Sequence, residues 1–200
     1  MCSRFEQNCK RMLRYERIHG RLPDEERARY NLRPTNTVWT IDAEGWRDRS
    51  WSLVPQWSKE RRLKYATFNA RSETVDEKAT FRHAWRHSQR CLIPASGYYE
   101  WLGPKGSKRC HYVTRADDEG LGIAGLWEHW ERDGDAIDSC TMITVPAAAE
   151  IGWLHHRMPL MFGPADEDVW LHASADEAAE LFTRQPPALE ISPIDSPPSR

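Results

Sequence analysis

The first apolar positions fall at a near-helical spacing. Phe5, Cys9, Met12, Leu13 and Ile18 run through "FEQNCKRMLRYERI" and predict an amphipathic helix or turn near the start of the chain. Beyond it the pattern changes to that of strands. "NTVWTID" is rich in β-branched and aromatic residues, and "GWRDRSWSLVP" is its candidate partner. "RCLIPASGYYEWL" reads as strand, turn, strand, and "CHYVTRAD", "LGIAGLWEHW", "SCTMITVPA" and "HRMPLMF" read as further strands. Helical character returns in "DEKATFRHAWRHSQ", where Phe81, Ala84 and Trp85 share one side. It returns again in "ADEDVWLHASADEAAELFTR", which is acidic at its start as a helix N-terminus prefers. "HGRLPDEERARY" is loop-like, with Gly20, Pro23 and Asp24 as breakers.

Many short strands with a few helices predict an α+β fold, because the strand–helix alternation of a doubly wound parallel sheet is missing. One compact domain is expected over residues 1–185. The Pro- and Ser-rich residues 186–200 are expected to be an extended or loose tail. No internal repeat, dinucleotide fingerprint or phosphate loop occurs.

Charge sharpens this picture. The net charge of the 200 residues is −2. Yet residues 1–115 carry 24 Lys and Arg against 13 Asp and Glu, and residues 116–200 carry 4 against 17. So distinct a basic portion suits a polyanion-binding face, unless the two portions pack together and cancel. Ten tryptophans fill a core or stack on flat ligands such as bases. No apolar run approaches the roughly 20 residues of a membrane span, and no secretory signal is visible. The expected setting is cytoplasmic, with the five cysteines (Cys2, Cys9, Cys91, Cys110, Cys140) reduced.

Several positions could carry chemistry. Cys2 follows the initiator methionine, and cysteine is small enough to follow a cleavable Met1. Once freed, it would hold an α-amine of pKa about 7.7–8.0 beside a thiol near 8.5. That 1,2-aminothiol condenses with an aldehyde to an imine, and the thiol then closes a thiazolidine ring. The plain alternative is a frayed terminus. In "TFNARSETV", Asn69 and Arg71 lie two apart on an extended segment and share a face, suited to orienting an amine and holding a phosphate. They equally suit a surface strand, with Glu73 in an ion pair. In "IPASGYYEW", Glu100 sits among aromatics, where desolvation raises a carboxylate toward the range useful for proton transfer; an exposed hairpin Glu is the alternative. "LHHRMPLMF" offers His155, His156 and Arg157. Adjacent histidines on a strand point to opposite faces, so only one is expected to face a given site. No metal-ligand spacing links them to Cys110 or His111, so no metal site is expected. "YNLRPTNT" and "WSLVPQWS" supply Arg33, Pro34, Trp51, Pro55 and Trp57, a possible stacking shelf or simply core and loop.

These stretches together resemble the SOS response-associated peptidase (SRAP) family, the abasic-site-shielding proteins. The likeness runs in order through "MCSRF", "ARYNLRPT", "WSLVPQW", "NARSETV", "CLIPASGYYEW", "AGLWE", "TMITVPA" and "HHRMPLMF". The resemblance implies a single domain of strongly twisted, mainly antiparallel, barrel-like β-sheets flanked by short helices. It implies a monomer that binds single-stranded DNA, or a single-to-double-strand junction, at an abasic site and needs no metal or nucleotide cofactor. Carried over by motif, Cys2 is the nucleophile, Asn69 positions its terminus, Glu100 handles protons, and His155 is the family histidine. Arg4 and Arg71 grip phosphates, Arg157 is the motif arginine, and Trp57 and Pro34 belong to the stacking or wedge region. The family name also implies a peptidase, which would remove the chain's own Met1. Ser3 and His156 depart from the usual glycine and aspartate, and Arg33 stands where a small or apolar residue is common. Two rival readings remain: a thiol peptidase using Cys2, His155 and Asn69, and a non-catalytic single-strand binder.

Overall fold

The computed structural model describes residues 2–20 and 29–198. Its thirteen strands and four α-helices form an α+β fold, as the pattern predicts. In chain order they are β1 (Phe5–Gln7), α1 (Leu13–His19), β2 (Arg29–Leu32), β3 (Thr37–Asp42), β4 (Gly45–Trp51), β5 (Asn69–Arg71), α2 (Arg82–Arg86), β6 (Arg90–Ala95), β7 (Gly97–Leu102), β8 (Arg109–Arg115), β9 (Leu121–Arg132), β10 (Asp135–Pro146), β11 (Arg157–Pro159), β12 (Met161–Phe162), α3 (Pro164–His172), α4 (Ala175–Glu180) and β13 (Leu189–Ile194). No described helix is long and apolar enough to cross a membrane.

Five strands close on themselves. β3 pairs with β4 and β6, β6 with β9, β9 with β10, and β10 returns to β4. The result is a small barrel, and the short β5, β11 and β12 attach to β10 and β9. The pairings are antiparallel except those of β10 with β4 and with β5, which are parallel. A second antiparallel sheet, in the order β13-β8-β7-β1-β2, packs beside the barrel. One continuous core joins the two, with Trp39, Trp51 and Trp170 fully buried.

Local chemistry explains the joins. The β9–β10 hairpin turns at Asp133-Gly134, both at positive φ (53° and 83°). That is the Asp-Gly signature of a two-residue turn matched to strand twist. Gln7 glues the sheets: its amide nitrogen donates to Trp39 O and Pro94 O at 2.8 Å, and its oxygen accepts from Trp39 N at 2.9 Å. Gly97 lets β7 come close to β8, since a Cβ there would lie 2.6 Å from the Tyr112 ring and 2.7 Å from Val113 O.

Three features of the elements have physical causes, and the first and third of them differ from the sequence reading. The expected N-terminal helix starts only at Leu13, because Phe5 pairs with both Leu32 and Tyr98 and sheet pairing captures residues 5–7. "RCLIPASGYYEWL" is strand, turn, strand but no hairpin: β6 belongs to the barrel and β7 to the second sheet. Residues 189–194, read as part of an extended or loose tail, form the paired strand β13 along β8, an edge position where Pro193 removes no needed donor. Residues 21–28 of the loop-like stretch lie outside the described residues.

Candidate active site at Cys2

Cys2 lies just ahead of β1 and is 1% exposed. Its thiol donates to Arg4 O at 3.6 Å, and that carbonyl also accepts from Tyr99 N at 2.9 Å. The start of the chain is thus tied to β7. From the barrel side, Asn69 opens β5, and its amide nitrogen donates to Cys2 O at 2.7 Å. The site therefore sits on the seam between barrel and second sheet.

Alternation along β7 puts Tyr98 and Glu100 on one face, and Glu100 stands directly opposite His111 on β8. Glu100 and His111 are each 8% exposed. Burial, and then the Glu100 charge, push the Cys2 thiol up to about 12. The same two causes, in that order, push Cys110 up to about 11. Burial lowers His155, partly offset by the attraction of Glu100 for its charged form. Cys2, Asn69, Glu100 and His155 are therefore brought together, with the thiol protonated and the imidazole neutral at pH 7.

His155 and His156 precede β11, and their rings stack with centroids 4.3 Å apart. The expected opposite orientation fails because neither belongs to a strand. His155 is half-buried and His156 is exposed. The His155 Nδ1 accepts from Arg157 N at 2.9 Å, which sets the neutral ring with its proton on Nε2. A protonated ring could donate from Nδ1 to Arg157 O, 3.1 Å away.

Arg157 is buried, and its guanidinium donates to both carboxylate oxygens of Glu73, the NH2–Oε2 bond being 3.0 Å. It also donates to Thr144 O at 2.5 Å. This arginine braces the His155 segment against β10. Arg4 lies at the rim, donating to Asn31 Oδ1 at 2.6 Å, with its guanidinium 5.9 Å from the Trp101 ring centroid. Burial, and then nearby Arg33, lower its affinity for its proton. Arg71 ends β5 and is exposed. Pro34 is half-buried in the β2–β3 turn. Trp57 stands apart from the cluster, its indole N–H donating to Ala79 O at 2.9 Å.

Sequence reasoning missed Tyr98 as a site residue and weighed His111 only as a metal ligand. Tyr98 lies near Cys2 and shares the Glu100 face of β7, and His111 stands opposite Glu100, a signal readable in "GYYEW" once β7 is paired with β8. Three buried polar atoms here have no partner among the described residues: Asn69 Oδ1, Tyr98 OH and His111 Nδ1. Each such orphan costs roughly 1–3 kcal/mol. A cluster of them is the mark of a place shaped for the polar groups of a bound molecule.

A family model described as SOS response associated peptidase (SRAP) matches residues 1–197. The chain belongs to this family. Among its SRAP relatives, the chain is 35% identical over 159 residues to the abasic site processing protein YoqW of Bacillus subtilis (strain 168), covering 76% of this chain and 70% of that one. It is 33% identical over 151 residues to the abasic site processing protein YMR114C of Saccharomyces cerevisiae, covering 72% of this chain but 40% of that longer protein. A crystal structure of a Bordetella bronchiseptica protein aligns at a TM-score of 0.84 and 29% identity, over 96% of this chain and 99% of its own.

Proposed function

We propose that this SRAP protein processes abasic sites in single-stranded DNA by forming a covalent thiazolidine crosslink through Cys2, after Met1 has been removed. The relatives named abasic site processing proteins support the coarse activity. The observation that carries the finer reading is the seat of Cys2. Asn69 fixes its carbonyl while leaving a buried acceptor, Oδ1, for the freed amine, and the thiol is kept protonated beside Glu100.

That seat suits chemistry in which nitrogen acts first. Opening the abasic sugar breaks the C1′–O4′ bond; a proton leaves the C1′ hydroxyl and one arrives on O4′. Glu100 and His155 carry those protons. The neutral amine attacks the C1′ aldehyde and water is lost, leaving an imine. The Cys2 sulfur then bonds to the same carbon, and the proton it gives up ends on nitrogen. Only water leaves, and the closed ring prevents strand cleavage by β-elimination. Intramolecular closure supplies an effective molarity of order 10⁵ M or more. Arg4 and Arg71 hold the flanking phosphates, Pro34 and Trp57 meet the bases, and Arg157 holds His155 in place. A thiol peptidase fits this seat less well. It needs a thiolate activated by a base or a cation, whereas burial and a carboxylate hold this thiol protonated.

The test is a denaturing gel. Wild-type protein with an oligonucleotide carrying one abasic site should give a heat-stable shifted band, absent in Cys2→Ala. Intact mass should show Met1 removed. No covalent band with correctly processed protein would overturn the proposal.

A further inference from the structure

Two buried polar groups near Cys2 and Glu100 are used by no step of the chemistry above. His111 is 8% exposed, and its Nδ1 has no hydrogen-bond partner among the described residues. Tyr98 is 2% exposed, and its hydroxyl likewise has none among them. Strand register relates the two. Glu100 stands opposite His111 and Tyr98 opposite Val113, so Tyr98 and His111 are diagonal neighbours on one face of the β7–β8 pair, with Glu100 adjoining both. Two unpaired polar side chains on one buried face suit a small polar group of a ligand.

The surroundings of His111 hold it in that state. The Trp153 ring meets the imidazole edge to face, with centroids 5.4 Å apart and planes at 82°. Trp153 itself is 53% exposed. A large apolar ring thus stays in water while the polar ring against it is buried, the reverse of the usual order. The indole is fixed: its N–H donates to Glu150 O at 3.0 Å, and Ile151 and Leu154 of the same turn are buried. That turn runs directly into His155. Trp153 therefore seats the imidazole and ties the His155 segment to β8.

The proposed reaction dictates which group arrives here. Cys2 attacks C1′, so whatever C1′ carries must come to rest among the side chains around Cys2. Tyr98 is near enough to Cys2 for the sulfur to affect its proton affinity. An undamaged nucleotide carries a base at C1′. The closed abasic sugar carries a hydroxyl there instead, which donates one hydrogen bond and accepts others. A phenol donates and accepts, and a neutral imidazole Nδ1 does either according to its tautomer. The sugar hydroxyl can therefore donate to one of the pair and accept from the other.

We propose that His111 is a specificity-determining residue for the lesion: its Nδ1 and the Tyr98 hydroxyl together bind the C1′ hydroxyl of the abasic sugar, and Trp153 is the positioning residue for the imidazole. The inference rests on the reading of Cys2 as the group that attacks C1′. A site that buries polar groups for a substrate hydroxyl rejects an analogue lacking it, because those groups are then left unpaired.

The experiment uses sugars that cannot react. Two oligonucleotides each carry one carbocyclic abasic analogue, in which CH₂ replaces O4′; one has a hydroxyl at C1′ and the other a hydrogen. Neither opens to an aldehyde, so neither crosslinks. Fluorescence anisotropy gives the ratio of the two affinities. Wild type should bind the hydroxyl analogue about 10-fold more tightly. His111→Phe and Tyr98→Phe, which keep a ring in place, should each cut the ratio to about 3-fold or less while binding the hydrogen analogue like wild type. Trp153→Ala should also lower the ratio, and Trp153→Phe should keep most of it. A merely structural role would weaken both affinities together and leave the ratio unmoved.

A wild-type ratio near one, or the same ratio in His111→Phe as in wild type, would overturn the proposal. Where circular dichroism shows that a variant does not fold, NMR of wild type with labelled histidine rings decides. The His111 signal should shift with the hydroxyl analogue and not with the hydrogen analogue, and equal shifts would overturn the assignment. A wild type that discriminates between the analogues but gives no covalent band with a true abasic site refutes the crosslinking function and leaves His111 as a recognition residue. Crosslinking without discrimination refutes the role of His111 and leaves the crosslinking function standing.

Discussion

The side-chain amide of Asn69 donates to the main-chain carbonyl of Cys2 at 2.7 Å, across the seam between the barrel and the second sheet. One hydrogen bond thus fixes the residue whose amine and thiol must reach the same carbon. The other end of that amide, Oδ1, is buried without a partner among the described residues. Asn69→Ala removes both the tether and the acceptor. Misplacing a reacting group by about 1 Å can lower a rate about 100-fold. Single-turnover crosslinking by Asn69→Ala should therefore be about 10–100-fold slower, while its melting temperature stays within a few degrees of wild type. Equal crosslinking rates would show that the tether does not position the nucleophile.

The state of the Cys2 thiol gives a pH signature. Burial first, and the Glu100 carboxylate second, push it up to about 12. Its thiolate fraction at pH 7–9 is therefore about 10⁻³ or less, and thiolate is the alkylating form. Iodoacetamide labelling of Cys2 in the folded protein, followed by peptide mass spectrometry, should rise about tenfold per pH unit up to pH 10 with no plateau. Glu100→Gln should label faster at each pH, since one of the two causes is gone. Rapid labelling that levels off below pH 8 would mean an activated thiolate and would favour the peptidase reading.

The seat of Cys2 was only partly legible in the sequence, for reasons that differ from residue to residue. β3, β4, β8, β9 and β10 announce themselves by β-branched and aromatic content, and the Asp133-Gly134 turn dictates its hairpin. Cys2, Asn69 and Glu100 could be named from their motifs. What the chain does not display locally is which strands become neighbours. "GYYEW" shows alternation, but only pairing with β8 brings Glu100 opposite His111. Arg157 is visible in the sequence only as the motif arginine, and it is the fold that brings Glu73, 84 residues away, against its guanidinium. The helical spacing of Phe5 and Cys9 misleads because burial in a strand and burial in the 3-10 turn at Cys9–Arg11 happen to fall in register.

The Glu73–Arg157 pair should make stability depend on acid. The Arg157 hydrogen bonds hold the Glu73 carboxyl below the usual carboxylate range. A depressed carboxyl contributes stability that is present above the ordinary value, near 4.3, and is lost as pH falls through the folded-state value. Glu73 is half-exposed, so solvent screens part of the interaction, but its loss leaves a buried guanidinium short of a partner. Glu73→Gln should lower the urea-unfolding free energy by about 1–2 kcal/mol at pH 7 and by less at pH 3. Because Arg157 N donates to His155 Nδ1, the same variant should also slow crosslinking at neutral pH. A stability loss that is the same at both pH values would mean that the ion pair is not its source.

Tyr98 tests whether the polar groups around Cys2 are present for function rather than folding. Its hydroxyl is buried, has no partner among the described residues, and lies close enough to Cys2 and Glu100 that both raise its pKa, after the larger effect of burial. A phenol so placed stays neutral and can donate. Removing it deletes an unsatisfied buried group and leaves the ring packing in place. Tyr98→Phe should therefore fold at least as stably as wild type, by about 0–1 kcal/mol in urea unfolding. If the hydroxyl donates to the lesion's sugar oxygens as the ring opens, crosslinking should slow about 10-fold, a gain in stability set against a loss of activity. Undamaged single strand should bind both proteins alike, which separates a chemical defect from a binding one. A variant that is destabilised yet crosslinks at the wild-type rate would assign the hydroxyl to the fold and remove it from the site.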